Sequence, residues 1–140
     1  DQVMDVNAKG VFLTTKAALP RLNQGARIVN ISSGMVIRGP AGWLPYVASK
    51  SAVVGMTRSL ATELGDDDVR VNAVMPAMTL TEDLLAEMDA ESIEERTESQ
   101  LIEEGIEPEH IADAVRFLCT SDSALITGQV INVDGGRSFY

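Results

Sequence analysis

The sequence predicts an α/β fold in which about three parallel strands alternate with flanking helices. Two observations carry that expectation. Short β-branched runs, at 27–31 and 69–74, have the composition of strands in a covered sheet. Around them lie longer stretches with apolar residues at helical spacing, in the order helix–strand–helix–strand–helix–strand.

Residues 3–19 place Val3, Val6, Val11, Leu13 and Ala17 at spacings that favour a helix, and Pro20 ends it. Arg27-Ile28-Val29-Asn30-Ile31 reads as a strand buried on both faces. The stretch 32–45 is rich in Gly, Pro and Ser and reads as a loop. From Tyr46 to Leu64, small residues mix with Val47, Val54, Met56 and Leu60, giving a long helix closed by Gly65. A second strand follows at 69–74. Residues 82–107 are acidic with scattered Leu, Met and Ile, and are expected to form short helices in a mobile excursion. Pro108 opens a helix with Ile111, Val115 and Leu118 on one face, and 129–133 is the last strand. Asp1 falls inside a helical pattern without a cap or a preceding strand. Three parallel strands also leave an apolar edge unpaired, so residues 1–140 are expected to be a partial domain.

Composition narrows the function classes. The 140 residues are 45% hydrophobic, enough for a core, and Cys119 is the single cysteine, which excludes an intrachain disulfide. No apolar run approaches a membrane span, and a soluble, cytoplasmic protein is expected. A formal charge of −10 argues against a nucleic-acid partner. No Cys, His and carboxylate cluster has metal-ligand spacing. The many carboxylates of residues 82–107 are expected to disfavour strongly anionic substrates, although most should face water.

Tyr46 and Lys50 stand at i and i+4 on an expected helix, so their side chains share a face one turn apart. A free phenol, with a pKa of about 10, is a poor acid or base near neutrality. A neighbouring ammonium favours the phenolate, which is what a proton-transferring tyrosine needs. Ser33 follows the first strand, at the sheet edge where open α/β folds bind ligands, and its hydroxyl can hold a carbonyl oxygen. Each residue alone has a plainer explanation. A tyrosine four before a lysine is commonly packing beside a solvated charge.

In combination they are similar to a known signature. Ile28-Val29-Asn30-Ile31-Ser32-Ser33 followed by Tyr46-Val47-Ala48-Ser49-Lys50 resembles the active-site motif of the short-chain dehydrogenase/reductase family. Asn7-Ala8-Lys9-Gly10 resembles the family's Asn-x-x-Gly. Arg70-Val71-Asn72-Ala73-Val74-Met75-Pro76 resembles the segment entering its Pro-Gly turn, and Thr127-Gly128-Gln129 with Val133-Asp134-Gly135-Gly136 its C-terminal signature.

The resemblance implies the C-terminal, catalytic portion of a Rossmann-like doubly wound fold. It also implies a carbonyl–alcohol oxidoreductase using NAD or NADP. Tyr46 would be the acid/base, Lys50 would favour its phenolate and hold the nicotinamide ribose, and Ser33 would polarise the substrate oxygen. Asn7 would anchor a water in a proton relay through Lys50, and Pro76 and Thr81 would border the nicotinamide end of the cofactor. Residues 82–107 would be a substrate lid, and helices 3–19 and 46–64 would pair subunits in a homo-oligomer.

Several residues keep a second reading. Asn7 alone would be a helix residue bonding nearby backbone, and Thr81 before Glu82 and Asp83 is also a helix N-cap. Trp43, Leu44 and Pro45 either line an apolar pocket or pack the loop. Asn30-Ile31-Ser32 matches a glycosylation sequon but falls at a buried strand end; His110 reads as surface and Asp66-Asp67-Asp68 as a solvated turn.

Two departures from the family pattern stand out. Ala77 replaces the glycine that usually follows the proline, which strains the turn if that position needs positive φ. No glycine-rich strand–turn–helix precedes Asn7 to receive a pyrophosphate, so this stretch alone is expected to be inactive and to bind cofactor poorly. A non-catalytic remnant, persisting as an oligomer or partner-binding module, is the alternative that this absence leaves open.

Overall fold

The computed structural model describes residues 1–139 and centres on a three-stranded parallel sheet ordered β1-β2-β3. The strands are β1 (Arg27–Ile31), β2 (Arg70–Pro76) and β3 (Val130–Val133). Arg27 registers with Arg70, and Ala73 with Val130. Every residue from Arg70 to Met75 is buried, and because strand side chains alternate, both faces of β2 are covered. Val71 turns to one face, where it packs with Ala61 of helix α4 (Leu44–Glu63). Arg70 turns to the other. Its guanidinium donates to the carbonyls of Ser123 (2.7 Å), Thr120 (3.0 Å) and Ile126 (3.2 Å). Thr120 caps the C-terminus of α7 (Pro108–Cys119), an end that attracts positive charge. Helices therefore flank the sheet on both faces, as expected.

The N-terminal helix runs as α1 (Gln2–Met4), one wide π-type turn (Asp5–Lys9), α2 (Gly10–Ala18) and a closing 3-10 turn (Leu19–Arg21). In the wide turn the Gly10 N–H reaches back to the Asp5 carbonyl, which lets one extra residue into the helix. Pro45 sits in the first turn of α4, where its missing N–H leaves no bond unmade.

Two sequence expectations fail for local reasons. The stretch 32–45 holds a short helix, α3 (Met35–Arg38), which Gly39 closes at φ 56°. The loop composition hid one helical turn between glycines. β1 is not buried on both faces: apart from Asn30 its residues are half-buried or exposed, and Ile31 is 42% exposed. The cause is its place in the sheet, paired with β2 on one side only.

The acidic excursion forms α5 (Glu82–Glu87) and α6 (Ala90–Glu98), in line with the expected short helices. Backbone bonds pin its base: the Leu80 N–H donates to the Ile106 carbonyl, and the Leu101 and Ile102 N–H groups both donate to the Gly135 carbonyl. Gly135 has φ +61°, and a Cβ there would lie 3.0 Å from the Ile102 carbonyl oxygen, so only glycine fits. Among the described residues, no helix is long and apolar enough to cross a membrane, and no His, Cys, Asp and Glu group could hold a metal ion.

Candidate active site

The β1–β2 ladder does not stop at Ile31. Ser32 N–H donates to the Val74 carbonyl at 2.8 Å and Gly34 N–H to the Pro76 carbonyl at 2.9 Å. These bonds hold the intervening Ser33 at the C-terminal edge of the sheet, where it is buried. Its Oγ accepts the Met35 N–H at 3.3 Å, so the hydroxyl proton stays available to a substrate oxygen.

Helix α4 brings Tyr46 and Lys50 to the same strand end. Lys50 Nζ donates to the Ile31 carbonyl at 3.1 Å, and Ser32 Oγ donates to the Lys50 carbonyl at 2.9 Å. The ammonium lies 5.9 Å from the centre of the Tyr46 ring. Burial holds the Lys50 pKa below the ordinary lysine value, because a half-buried ammonium loses hydration. Trp43 meets Tyr46 edge-to-face, with ring centres 5.8 Å apart. Trp43 thus packs on the tyrosine, while Leu44 is 77% exposed.

Asn7 lies in the wide π-type turn and donates its side-chain amide to Ser49 Oγ at 3.2 Å. Ser49 in turn donates to the Tyr46 carbonyl at 2.7 Å. Asn7 therefore reaches α4 at the residue before Lys50 rather than at Lys50 itself. Both Asn7 and Lys50 line an open groove of about 570 Å³ between the N-terminal helix and β1.

Pro76 ends β2 with its carbonyl bonded to Gly34, next to Ser33. Asp68 is the only described non-glycine residue with positive φ, so Ala77 occupies its turn without the strain considered from sequence. Thr81 is exposed and caps α5, its Oγ1 accepting the Leu84 N–H at 3.3 Å. The capping reading of Thr81 holds, and its hydroxyl proton remains unspent.

Sequence reasoning passed over three contributors. Ser49 lies inside the Tyr46–Lys50 interval but was not singled out. Asn30 donates to Thr57 Oγ1 at 2.9 Å with both residues buried, which ties β1 to α4 and occupies the asparagine of the apparent sequon. His110 is exposed as expected, yet its Nδ1 accepts the Glu107 N–H to complete a capping box at α7. The Glu107-to-His110 spacing was the available signal.

A family model described as enoyl-(acyl carrier protein) reductase matches residues 1–138. A probable short-chain type dehydrogenase/reductase of Bradyrhizobium diazoefficiens is 41% identical over 138 residues, covering 97% of this chain and 49% of the relative. The chain belongs to the short-chain dehydrogenase/reductase family. Within that family, a 3-oxoacyl-(acyl-carrier-protein) reductase of Thermotoga maritima is 39% identical over 97% of this chain and 56% of its own length. The angucycline C-6 ketoreductase LanV, solved with bound NADP, superposes with a TM-score of 0.89 at 34% identity, covering 96% of this chain and 52% of that one. The chain thus spans about half the length of these short-chain dehydrogenases/reductases.

Proposed function

We propose that residues 1–140 are the catalytic half of a nicotinamide-dependent oxidoreductase that interconverts a carbonyl and a secondary alcohol. One observation carries the reading. Tyr46 and Lys50 stand one turn apart on α4, the ammonium 5.9 Å from the ring centre, beside the strand end that bears Ser33. In reduction the Tyr46 hydroxyl gives its proton to the carbonyl oxygen, and in oxidation its phenolate takes the proton from the alcohol. Lys50 stabilises that phenolate by its charge. Ser33 donates a hydrogen bond to the same substrate oxygen, and Asn7, through Ser49, steadies the turn of α4 between Tyr46 and Lys50 and anchors a water of the relay.

The residues present fit the nicotinamide end of NAD or NADP. Lys50 spends one N–H on the Ile31 carbonyl and keeps two for ribose hydroxyls. Pro76, bonded beside Ser33, and Thr81, with its hydroxyl proton unspent, are the residues assigned to the nicotinamide end. When bound, the cofactor supplies or accepts the hydride. LanV binds NADP, and the names of the reductase relatives describe carbonyl reduction, which supports both cofactor class and chemistry. Activity then requires a glycine-rich phosphate-binding segment outside residues 1–140.

Residues 82–107 are assigned as the substrate lid. The exposed apolar side chains Val3, Val6, Phe12 and Leu13 on the N-terminal helix support a homo-oligomer joined through helices 3–19 and 46–64. The substrate is a small carbonyl or alcohol compound, with no nucleic-acid or membrane partner, and the cytoplasm is the assigned compartment.

Steady-state reduction of ketones by the complete enzyme tests the reading. Tyr46→Phe is expected to lower kcat by about two to four orders of magnitude while cofactor affinity holds. Retention of most of the rate overturns the proposal.

A further inference from the structure

We propose that Asp134 is a positioning residue of the substrate site: through the turn after β3 it holds residues 99–106 as a fixed inner wall of the 82–107 excursion. The inference deepens the oxidoreductase reading, and it rests on that reading and on the assignment of 82–107 as the substrate lid.

The excursion divides into two parts of different character. No residue of α5 or α6 is buried, and each helix is capped by the residue before it, Thr81 or Asp89. Gln100 and Ile106, by contrast, are only 6% and 5% exposed. The Gln100 amide donates to the carbonyls of Ile102 (3.0 Å) and Glu104 (2.8 Å), which folds 100–104 into a compact bend. Leu80 closes the segment from the other end. Its N–H donates to the Ile106 carbonyl at 2.8 Å, and its side chain lies against Gly105.

This inner segment rests on the turn after β3. The Leu101 and Ile102 N–H groups both reach the Gly135 carbonyl at 2.9 Å. The approach is close: a Cβ on Gly135 would lie 2.8 Å from the Gln100 amide nitrogen, and one on Gly136 would lie 3.2 Å from Leu101. Asp134 holds the turn in that shape. Buried at 5% exposure, it accepts from the Gly136 N–H (3.0 Å), the Ser138 N–H (2.9 Å) and the Ser138 hydroxyl (2.7 Å). The Asn132 amide fixes the same end by donating to the Ser138 carbonyl at 3.1 Å. There the turn meets the candidate active site: a Cβ on Gly34, the residue after Ser33, would lie 3.9 Å from Ser138 Oγ.

The donor set calls for a carboxylate. An ionised carboxylate is acceptor-only, and its bonds to N–H and O–H donors are charge-assisted. An asparagine keeps the shape but turns one acceptor oxygen into a donor. The N–H of Gly136 or of Ser138 then loses its partner, and the turn loosens beneath Leu101 and Ile102. A substrate bound beside Ser33 therefore meets a wall already in place. A wall that had to be ordered on binding would weaken affinity, so Asp134 acts on substrate binding rather than on proton transfer.

The test compares the complete enzyme with its D134N, S138A and Q100A variants. It reads hydrogen exchange by mass spectrometry, and steady-state reduction of a ketone panel including ethyl acetoacetate and acetophenone with NADPH or NADH. In the parent protein, peptides covering 99–106 should exchange about tenfold or more slowly than those covering 82–98. D134N should remove that difference and raise the ketone KM about tenfold, with kcat and the cofactor KM held within about threefold. S138A removes one of the three donations and should move KM the same way by about threefold. Q100A releases the segment without touching Asp134 and should match D134N. These two variants keep the test decisive if D134N fails to fold. A purely structural Asp134 would lower the melting temperature and leave KM in place, and that result overturns the proposal. Fast exchange of 99–106 in the parent protein overturns it as well. The expected exchange pattern without reduction of any ketone would instead overturn the oxidoreductase reading and leave the anchoring by Asp134 standing.

Discussion

Asn7 donates its side-chain amide to Ser49 at 3.2 Å, and so couples the N-terminal helix to α4 between Tyr46 and Lys50. The bond links residues far apart in sequence and reaches the one turn of α4 on which the proposed chemistry depends. Asn7 holds that position because the wide turn Asp5–Lys9 locally rewinds its helix.

Replacing Asn7 by Leu in the complete enzyme should therefore lower kcat by about ten- to a hundredfold, since small misplacements of reacting groups are costly. KM for a ketone should move far less. Steady-state kinetics with a parallel melting curve checks this, and a fall in stability with an unchanged kcat would mean that Asn7 only packs.

The lowered Lys50 pKa gives a pH-dependent prediction. Below the folded-state value, both folded and unfolded chains hold the proton and the burial cost is constant. Between that value and the ordinary 10.5, only the unfolded chain holds it, so stability rises with pH across that window. Lys50→Met lacks the step. Melting temperatures of both proteins from pH 7 upward should show the wild type gaining on the variant as pH approaches 10.5. Parallel curves would refute the assignment.

Thr57→Val removes the buried partner of the Asn30 amide. Leaving that donor unsatisfied should cost about 1–3 kcal/mol. Adding Asn30→Val should cost much less than the sum of the single changes, because both polar partners are then gone. Urea unfolding of the three variants measures the cycle; strict additivity would show that the bond is not shared as described.

Residues 1–140 on their own should bind NADH or NADPH no better than about millimolar, near 4 kcal/mol. Lys50, the Pro76 turn and Thr81 must also meet the cost of immobilising an anionic ligand on a surface of charge −10. Calorimetry on these residues alone decides it. Micromolar affinity would mean that a phosphate site exists here, and the requirement for an outside segment would fall.

What could be read in the sequence follows from interactions of short range. The helix–strand order, the N-cap at Thr81 and the shared face of Tyr46 and Lys50 all depend on residues within a few positions of each other. The shared face of Tyr46 and Lys50 and the strand-end place of Ser33 were legible from spacing, whereas Asn7 was singled out only by the family resemblance. The α3 turn escaped because glycines at both ends read as loop.

Tertiary structure alone decided that β2 is the central strand and β1 an outer one, since β1 and β2 have similar compositions and only pairing partners distinguish them. It also decided that Ala77 is unstrained, that Asn30 meets Thr57, and that Asn7 reaches Ser49. Periodicity carries local geometry, whereas these contacts close loops of tens of residues. Their positions are set by how β2 seats α4 on one face and anchors the end of α7 on the other, a packing that no short stretch of sequence contains.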